Sequence, residues 1–166
     1  MKKVIKKTFF ALTVLVILFF CACKYNLTEN TFFKVMTNMQ YYPQQYVGAD
    51  ISFDAFTYEL TDINGEKHIC VVRQCSAGYG CKCGKDTVIG FLIDFDGEIP
   101  APQNQSEKNN DKTWVHVKGT LPHAEKTNFQ IYAIDGTVET ITFLTFKAET
   151  LDLIEDYSGL HYYVDK

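Results

Sequence analysis

Short runs of β-branched and aromatic residues, separated by glycine, asparagine and aspartate turns, recur from residue 50 to residue 146, and no sustained helical period interrupts them. That pattern restricts the chain to a β architecture. In residues 50–60, Ile51, Phe53 and Ala55 share one parity while Phe56 and Tyr58 share the other, which predicts a bulge near Asp54 and Ala55. Asp62-Ile63-Asn64-Gly65 is a turn with Asn64 and Gly65 suited to positive φ, and residues 67–73 form the returning strand of a hairpin. Residues 87–95 are almost continuously apolar, as in a strand buried on both faces. Residues 97–112, with Pro100, Pro102 and little that is apolar, read as a long exposed loop. Strands follow at 114–121, 129–134 and 138–146, and residues 151–157 fit either a short helix or a terminal strand.

Five to six short strands joined by hairpins imply an all-β domain, and at this size an OB-like small barrel is the expected solution. Ahead of it, residues 1–23 begin with lysines, continue as an uncharged apolar stretch from Thr8 to Phe20, and end Phe20-Cys21-Ala22-Cys23. This is an export signal helix, too short to cross the ~30 Å hydrocarbon core of a bilayer. Its ending resembles a bacterial lipobox, with Phe20 where an aliphatic residue is usual. Cys23 is then the acylated residue and Cys21 the alternative. The expected organisation is a signal peptide over residues 1–22, a tether over 23–38 and one OB-like domain over 39–166. The expected location is the extracytoplasmic face of the cell membrane, reached through a lipid anchor.

Removal of the leader takes Lys2, Lys3, Lys6 and Lys7 with it and moves the net charge from −4 to about −8. A domain this anionic is unsuited to nucleic acid, whose affinity comes from Lys and Arg on phosphates.

The densest chemistry is a run of four cysteines, Cys70, Cys75, Cys81 and Cys83, with glycines at 78, 80 and 84 between and after them. Three readings stand side by side. Thiolates are soft ligands, so the four suit zinc or another soft metal. Export makes structural disulfides an equally natural outcome, with Cys75 bridging Cys81 or Cys83. Redox-active thiols would need the positive charge that Arg73, Lys82 and Lys85 place nearby. Cys70, in the alternation of a strand, also fits a buried small hydrophobe. His68 shares its strand face and is a further ligand candidate or an exposed strand histidine.

The order of features is Tyr42-Pro43-Gln44-Gln45-Tyr46-Val47-Gly48, Phe53-Asp54-Ala55-Phe56-Thr57-Tyr58, Arg73, Cys81-Lys82-Cys83, Asp86, Gly90-Phe91, and a strand Trp114-Val115-His116-Val117-Lys118-Gly119-Thr120. This resembles the C-terminal domain of the YcgQ-like family, an uncharacterised group encoded beside a permease and described as permease subunits. The resemblance covers roughly residues 41–121 and singles out Arg73, Cys81, Cys83, Asp86, Gly90 and Trp114. It implies a permease as partner. The chain departs from the family pattern in the Lys82 between the two cysteines, in the added Cys75, and in a lipoprotein signal where the family carries membrane helices.

Catalytic motifs are missing: there is no nucleophile elbow, phosphate-cradling glycine loop or His-Glu-x-x-His, so no enzyme activity is expected. Tyr41, Tyr42, Tyr46, Tyr58, Tyr79, Tyr157, Tyr162 and Tyr163 suggest an aromatic face for a sugar or peptide, or simply the packing of a small barrel. The functional expectation is a lipid-anchored binding or accessory module for a permease with a Cys-rich, metal-binding loop. Its alternative is a surface ligand-binding module with structural disulfides.

Overall fold

A computed structural model describes residues 24–75, 87–103, 112–133 and 135–164. Its elements are β1 (Lys24–Asn26), α1 (Glu29–Tyr41), a 3-10 turn (Pro43–Gln45), β2 (Asp50–Thr61), β3 (Lys67–Cys75), β4 (Thr87–Asp94), β5 (Trp114–Thr120), β6 (Lys126–Tyr132) and β7 (Val138–Leu153). The expected signal helix lies outside the described residues.

Five strands close into a ring in the order β2, β3, β4, β7, β5 and back to β2, with β1 and β6 off it. All ring contacts are antiparallel except β4 with β7. The inward faces bury Ile51, Phe53, Val71, Phe91, Val117, Leu144 and Phe146 in one cluster. Phe53 meets both Phe91 and Phe146 there, with ring centroids 5.7 and 5.5 Å apart. A second cluster forms on the outer face, where Phe129 and Phe143 of the β6–β7 ribbon cover Phe56, Leu60, Cys70 and Val72.

Two cores explain the parity change in β2. Ile51, Phe53 and Ala55 belong to the inner cluster, and Phe56 and Leu60 to the outer one. No bulge is needed near Asp54: the β2–β5 register runs unbroken from Asp50↔Thr120 to Phe56↔Trp114. The irregularity lies instead between Lys118 and Gly119, against β7.

The stretch read as a tether is structured. Lys24–Asn26 pairs in parallel with Asp50–Ser52, and α1 follows directly. Thr31 Oγ1 accepts the Thr28 N–H at 2.9 Å, which satisfies a helix-start donor. Phe32, Met36 and Met39, spaced by four and three residues, put one face of α1 into the inner cluster. A single amphipathic helix of 13 residues is easily hidden among strand-forming aromatics. In the hairpin that follows β2, Gly65 takes positive φ and Asn64 does not. β7 continues to Leu153, which absorbs part of the segment left open as helix or strand. Lys112, at the end of the expected exposed loop, is buried instead.

Candidate functional site

The β2–β3 ladder begins at Thr61↔Lys67 and stops at Phe56↔Val72. Beyond that point β2 turns the same edge to β1, and Gln74 of β3 pairs with the C-terminal segment at Tyr163. Arg73 fills the opening between them. Its two terminal nitrogens donate to the Glu29 carboxylate at 2.8 and 2.7 Å, and one also donates to the Asp54 carbonyl at 3.2 Å. A further hydrogen bond runs to the His161 carbonyl. The guanidinium lies 5.1 Å from the Phe32 ring centre and 4.9 Å from that of Trp114. Arg73 is 1% exposed, so this charge is paired, hydrogen-bonded and stacked away from bulk solvent.

Glu29 receives a second hold from the His161 N–H at 3.1 Å. Burial pushes its carboxyl up, and the Arg73 hydrogen bond and charge with the His161 N–H outweigh this and leave it below its ordinary value. One ion pair therefore ties α1, β2, β3 and the C-terminal segment together. Trp114 also meets Phe56 edge-on and stacks on Tyr157. Arg73 and Trp114, two of the residues singled out by resemblance, thus meet in the packing of this seam.

Gly90, the third, has a steric role. A Cβ there would overlap the Val71 carbonyl oxygen and come within 2.8 Å of Val72 Cα. Only glycine lets β4 lie this close to β3.

The cysteines divide. Cys70 belongs to the outer cluster and Cys75 to the inner one, because five positions along β3 reverse the face. They sit roughly 17 Å apart along the strand at ~3.3 Å per residue. They cannot hold one ion together. Cys70 is a fully buried free thiol whose pKa is pushed up to about 12 by burial. That environment suits a small hydrophobe and suppresses thiolate chemistry. Cys75 ends β3, is buried, and the chain continues from it toward Cys81, Cys83 and Asp86. Those three residues, like Cys23 and Tyr79, lie outside the described residues.

Cys75 also lines a cleft of about 380 Å³. The β4–β7 ladder begins only at Phe91↔Leu144, so Thr87–Gly90 and Ile141–Phe143 diverge below it. Gln40 and Tyr41 at the end of α1 and Lys126 at the start of β6 complete the walls. Gln40 Nε2 donates to the Gly90 carbonyl at 3.0 Å and fixes the helix end at the rim. The lining combines a thiol, an ammonium and an amide with apolar walls, a mixture suited to a small ligand that carries a polar end.

Other polar groups lie apart from the cleft. Asp62, Glu66 and His68 bring ligand atoms within 4.8 Å of one another at the β2–β3 turn, but Asp62 Oδ1 is already accepting the Asn64 and Glu66 N–H groups. His68 packs on Phe129. His116 Nδ1 lies 2.6 Å from Asp54 Oδ1 in a half-exposed pair. The tyrosines do not share one face: Tyr46 is buried, Tyr162 stacks on Phe56, and Tyr41 and Tyr42 are exposed. Sequence reasoning missed Glu29, Gln40 and Lys112. Glu29 carried a readable signal as an acidic residue just after a Thr helix start, and Lys112, over the Phe56 and Tyr162 rings, carried none.

The family model of the DUF1980 C-terminal domain matches residues 21–144, a span that contains Arg73, Cys75, Gly90 and Trp114. The chain is also similar to the UPF0703 protein YcgQ of Bacillus subtilis (strain 168), 31% identical over 100 residues that make up 58% of this chain and 30% of that protein. The match thus spans under a third of that relative's length. Both comparisons agree with the resemblance carried by Arg73, Gly90 and the Trp114 strand: the chain belongs to the YcgQ-like family defined by the DUF1980 C-terminal domain.

Proposed function

We propose that this chain is an extracytoplasmic accessory module, lipid-anchored at Cys23, that serves a permease and holds a soft metal such as zinc through Cys75, Cys81 and Cys83. The observation that carries the reading is the placement of Cys75. Its thiol ends β3 at the wall of the β4–β7 cleft, and the segment bearing the other two cysteines starts from it. Three thiolates with a fourth position left for solute or solvent make a transfer-type site, in contrast to the closed four-ligand sites of structural zinc. The permease partner is what the family resemblance implies, and the lipid anchor keeps the module at the membrane where such a partner resides.

The framework proposed for this site is an OB-like barrel. Following paired residues once round the five-strand ring returns to β2 roughly ten residues from the start, a stagger that tilts strands enough to close so small a barrel. The parallel β4–β7 pair and the antiparallel remainder fit the same topology.

A second reading is favoured by Tyr41, an exposed aromatic at the rim of the cleft. In it the cleft takes a sugar or peptide and the cysteines are disulfide-bonded. Metal analysis and thiol counting on the full chain, purified without reductant or chelator, separate the two. The expected result is about one zinc per chain, lost in Cys75→Ser, Cys81→Ser and Cys83→Ser and kept in Cys70→Ala. Metal-free protein with Cys75 in a disulfide would replace the first reading by the second.

A further inference from the structure

We infer that one end of the strand ring, where β1 starts at Lys24, lies flat against the bilayer, with the exposed side chains of Tyr41, Tyr42 and Val47 seated in its headgroup boundary. The inference rests on the reading of Cys23 as the acylated residue. Lys24 is the next residue after Cys23, and it is already the first residue of β1, in register with Asp50. One peptide step is about 3.8 Å. An acyl group on Cys23 therefore has no tether, and the end of the ring where β1 starts is held at the lipid surface.

That end is defined by the starts of β2 and β4 and the ends of β3 and β5. Val47 bridges to Leu121, the residue after β5, and the Gly48 N–H donates to the Leu121 carbonyl at 3.0 Å. Tyr41 lies beside Cys75 and Thr87 in the wall of the cleft, and its ring centre is 6.3 Å from that of Tyr42. Tyr41, Tyr42 and Val47 are 59%, 57% and 44% exposed, so three of the large apolar side chains presented to solvent gather where the chain would enter the membrane. Tyr132 and Val138 sit away from them at the tip of the β6–β7 ribbon, which extends toward the β2–β3 turn through the Ile63 N–H and the Gln130 carbonyl, 2.9 Å apart.

Lipid is favoured as occupant over protein by the missing tether, since headgroups meet this end before any partner does. Tyrosine, like tryptophan, is enriched at that boundary, with an apolar ring and a polar tip. An anionic domain gains no electrostatic hold on the surface, so aromatic contact orients the ring at a membrane to which the acyl chains already hold it. The cleft that contains Cys75 then opens close to the membrane plane.

The test uses the full acylated chain in neutral phosphatidylcholine vesicles with brominated acyl chains, comparing Val47→Trp with Tyr132→Trp. Both positions are exposed, and the buried Trp114 contributes equally to both variants. Insertion of an apolar face into the headgroup boundary should quench the emission gained by Val47→Trp about twofold and leave that of Tyr132→Trp unchanged. Equal quenching, or greater quenching at 132, in protein whose intact mass shows acylated Cys23 would overturn the orientation and leave the anchor standing. An intact mass without acyl chains, matched by a Cys23→Ala variant that stays equally vesicle-bound, would overturn the anchor reading and this inference with it.

Discussion

Between β2 and β3 the ladder ends at Phe56↔Val72, and the space below is packed with a guanidinium, a carboxylate and two aromatic rings. Between β4 and β7 the ladder starts only at Phe91↔Leu144, and the space below is a cleft with a thiol in its wall. Both openings follow from strands that must tilt and part where a small ring changes partners. The first is sealed by a buried ion pair between stacked rings, and the second is left with room for a ligand. The sealed opening joins four segments distant in sequence, so stability should concentrate there and binding capacity at the other.

The largest expected effect is therefore at Arg73. Arg73→Met keeps much of the side-chain volume but strands Glu29 and removes donors from the Asp54 and His161 carbonyls. Removing one partner of a buried pair should cost about 3 kcal/mol or more, read as the urea midpoint and slope. Combining it with Glu29→Leu should recover part of the loss. Full recovery would mean the pair contributes register and little stability. The same pair sets an acid limit. Glu29 titrates below its ordinary 4.5 in the folded protein, so its contribution is complete above that value and is lost as pH falls through the lower folded pKa. Wild-type stability should drop as pH falls below about 5, and Glu29→Gln should flatten that drop. An unchanged pH profile would separate Glu29 from the seal.

Gly90 sits between the two openings, pressed on β3 and lining the cleft. Gly90→Ala must push β4 away from Val71 and should cost about 2 kcal/mol, in the range of overpacked cores. The informative part is where the loss goes. If the substitution widens the cleft, metal or ligand binding changes along with stability, and if β4 moves as a rigid strand, only the melting midpoint falls.

The strands and their turns were legible because period-2 patterns and Gly/Asn/Asp breaks are local signals. Arg73, Gly90 and Trp114 were also legible as special positions, although the resemblance gave no hint that two of them meet around one charge. What stayed hidden depends on distant partners. Glu29 is 44 residues from Arg73, and His161 is 88. α1 was obscured because Phe32, Phe33 and Val35 suit a strand as well as a helix, and only the ring's need for cover selects the helical face. A switch of parity in β2 looked like a bulge in isolation, and becomes regular once a second apolar cluster is known to lie outside the ring. The separation of Cys70 from Cys75 was foreseeable from parity alone, since an odd spacing on one strand places two side chains on opposite faces.

Gln40 offers a smaller and cleaner probe of the open side. Its amide anchors the end of α1 to the Gly90 carbonyl at the cleft rim. Gln40→Ala should cost about 1 kcal/mol for a part-buried hydrogen bond. Faster amide exchange should be confined to the last turn of α1, with the Arg73 seam undisturbed. Exchange that spreads to the first turn of the helix would mean the two openings are coupled through α1.

The smallest effect belongs to the part of the β4–β7 contact that is closed but wet. Lys147 reaches Asp94 at 3.5 Å and Asp96 at 3.4 Å, and with Asp94 it stands directly across the ladder. The hydrogen bond to Asp96 and the charges of Asp94 and Asp96 raise the lysine's pKa, yet all three side chains are 46% exposed or more. Water and salt screen such a pair, so Lys147→Ala should leave a midpoint shift that vanishes in high salt. Lys147 and Asp94 join two strands of the ring, and the Arg73–Glu29 pair ties α1 to a third, β3; both contacts use opposite charges, and burial is what should set their strengths apart. Should Lys147→Ala prove as damaging as Arg73→Met, burial would no longer explain why one opening is sealed, and the β4–β7 ladder itself would have to be the weaker seam that the ion pair holds shut.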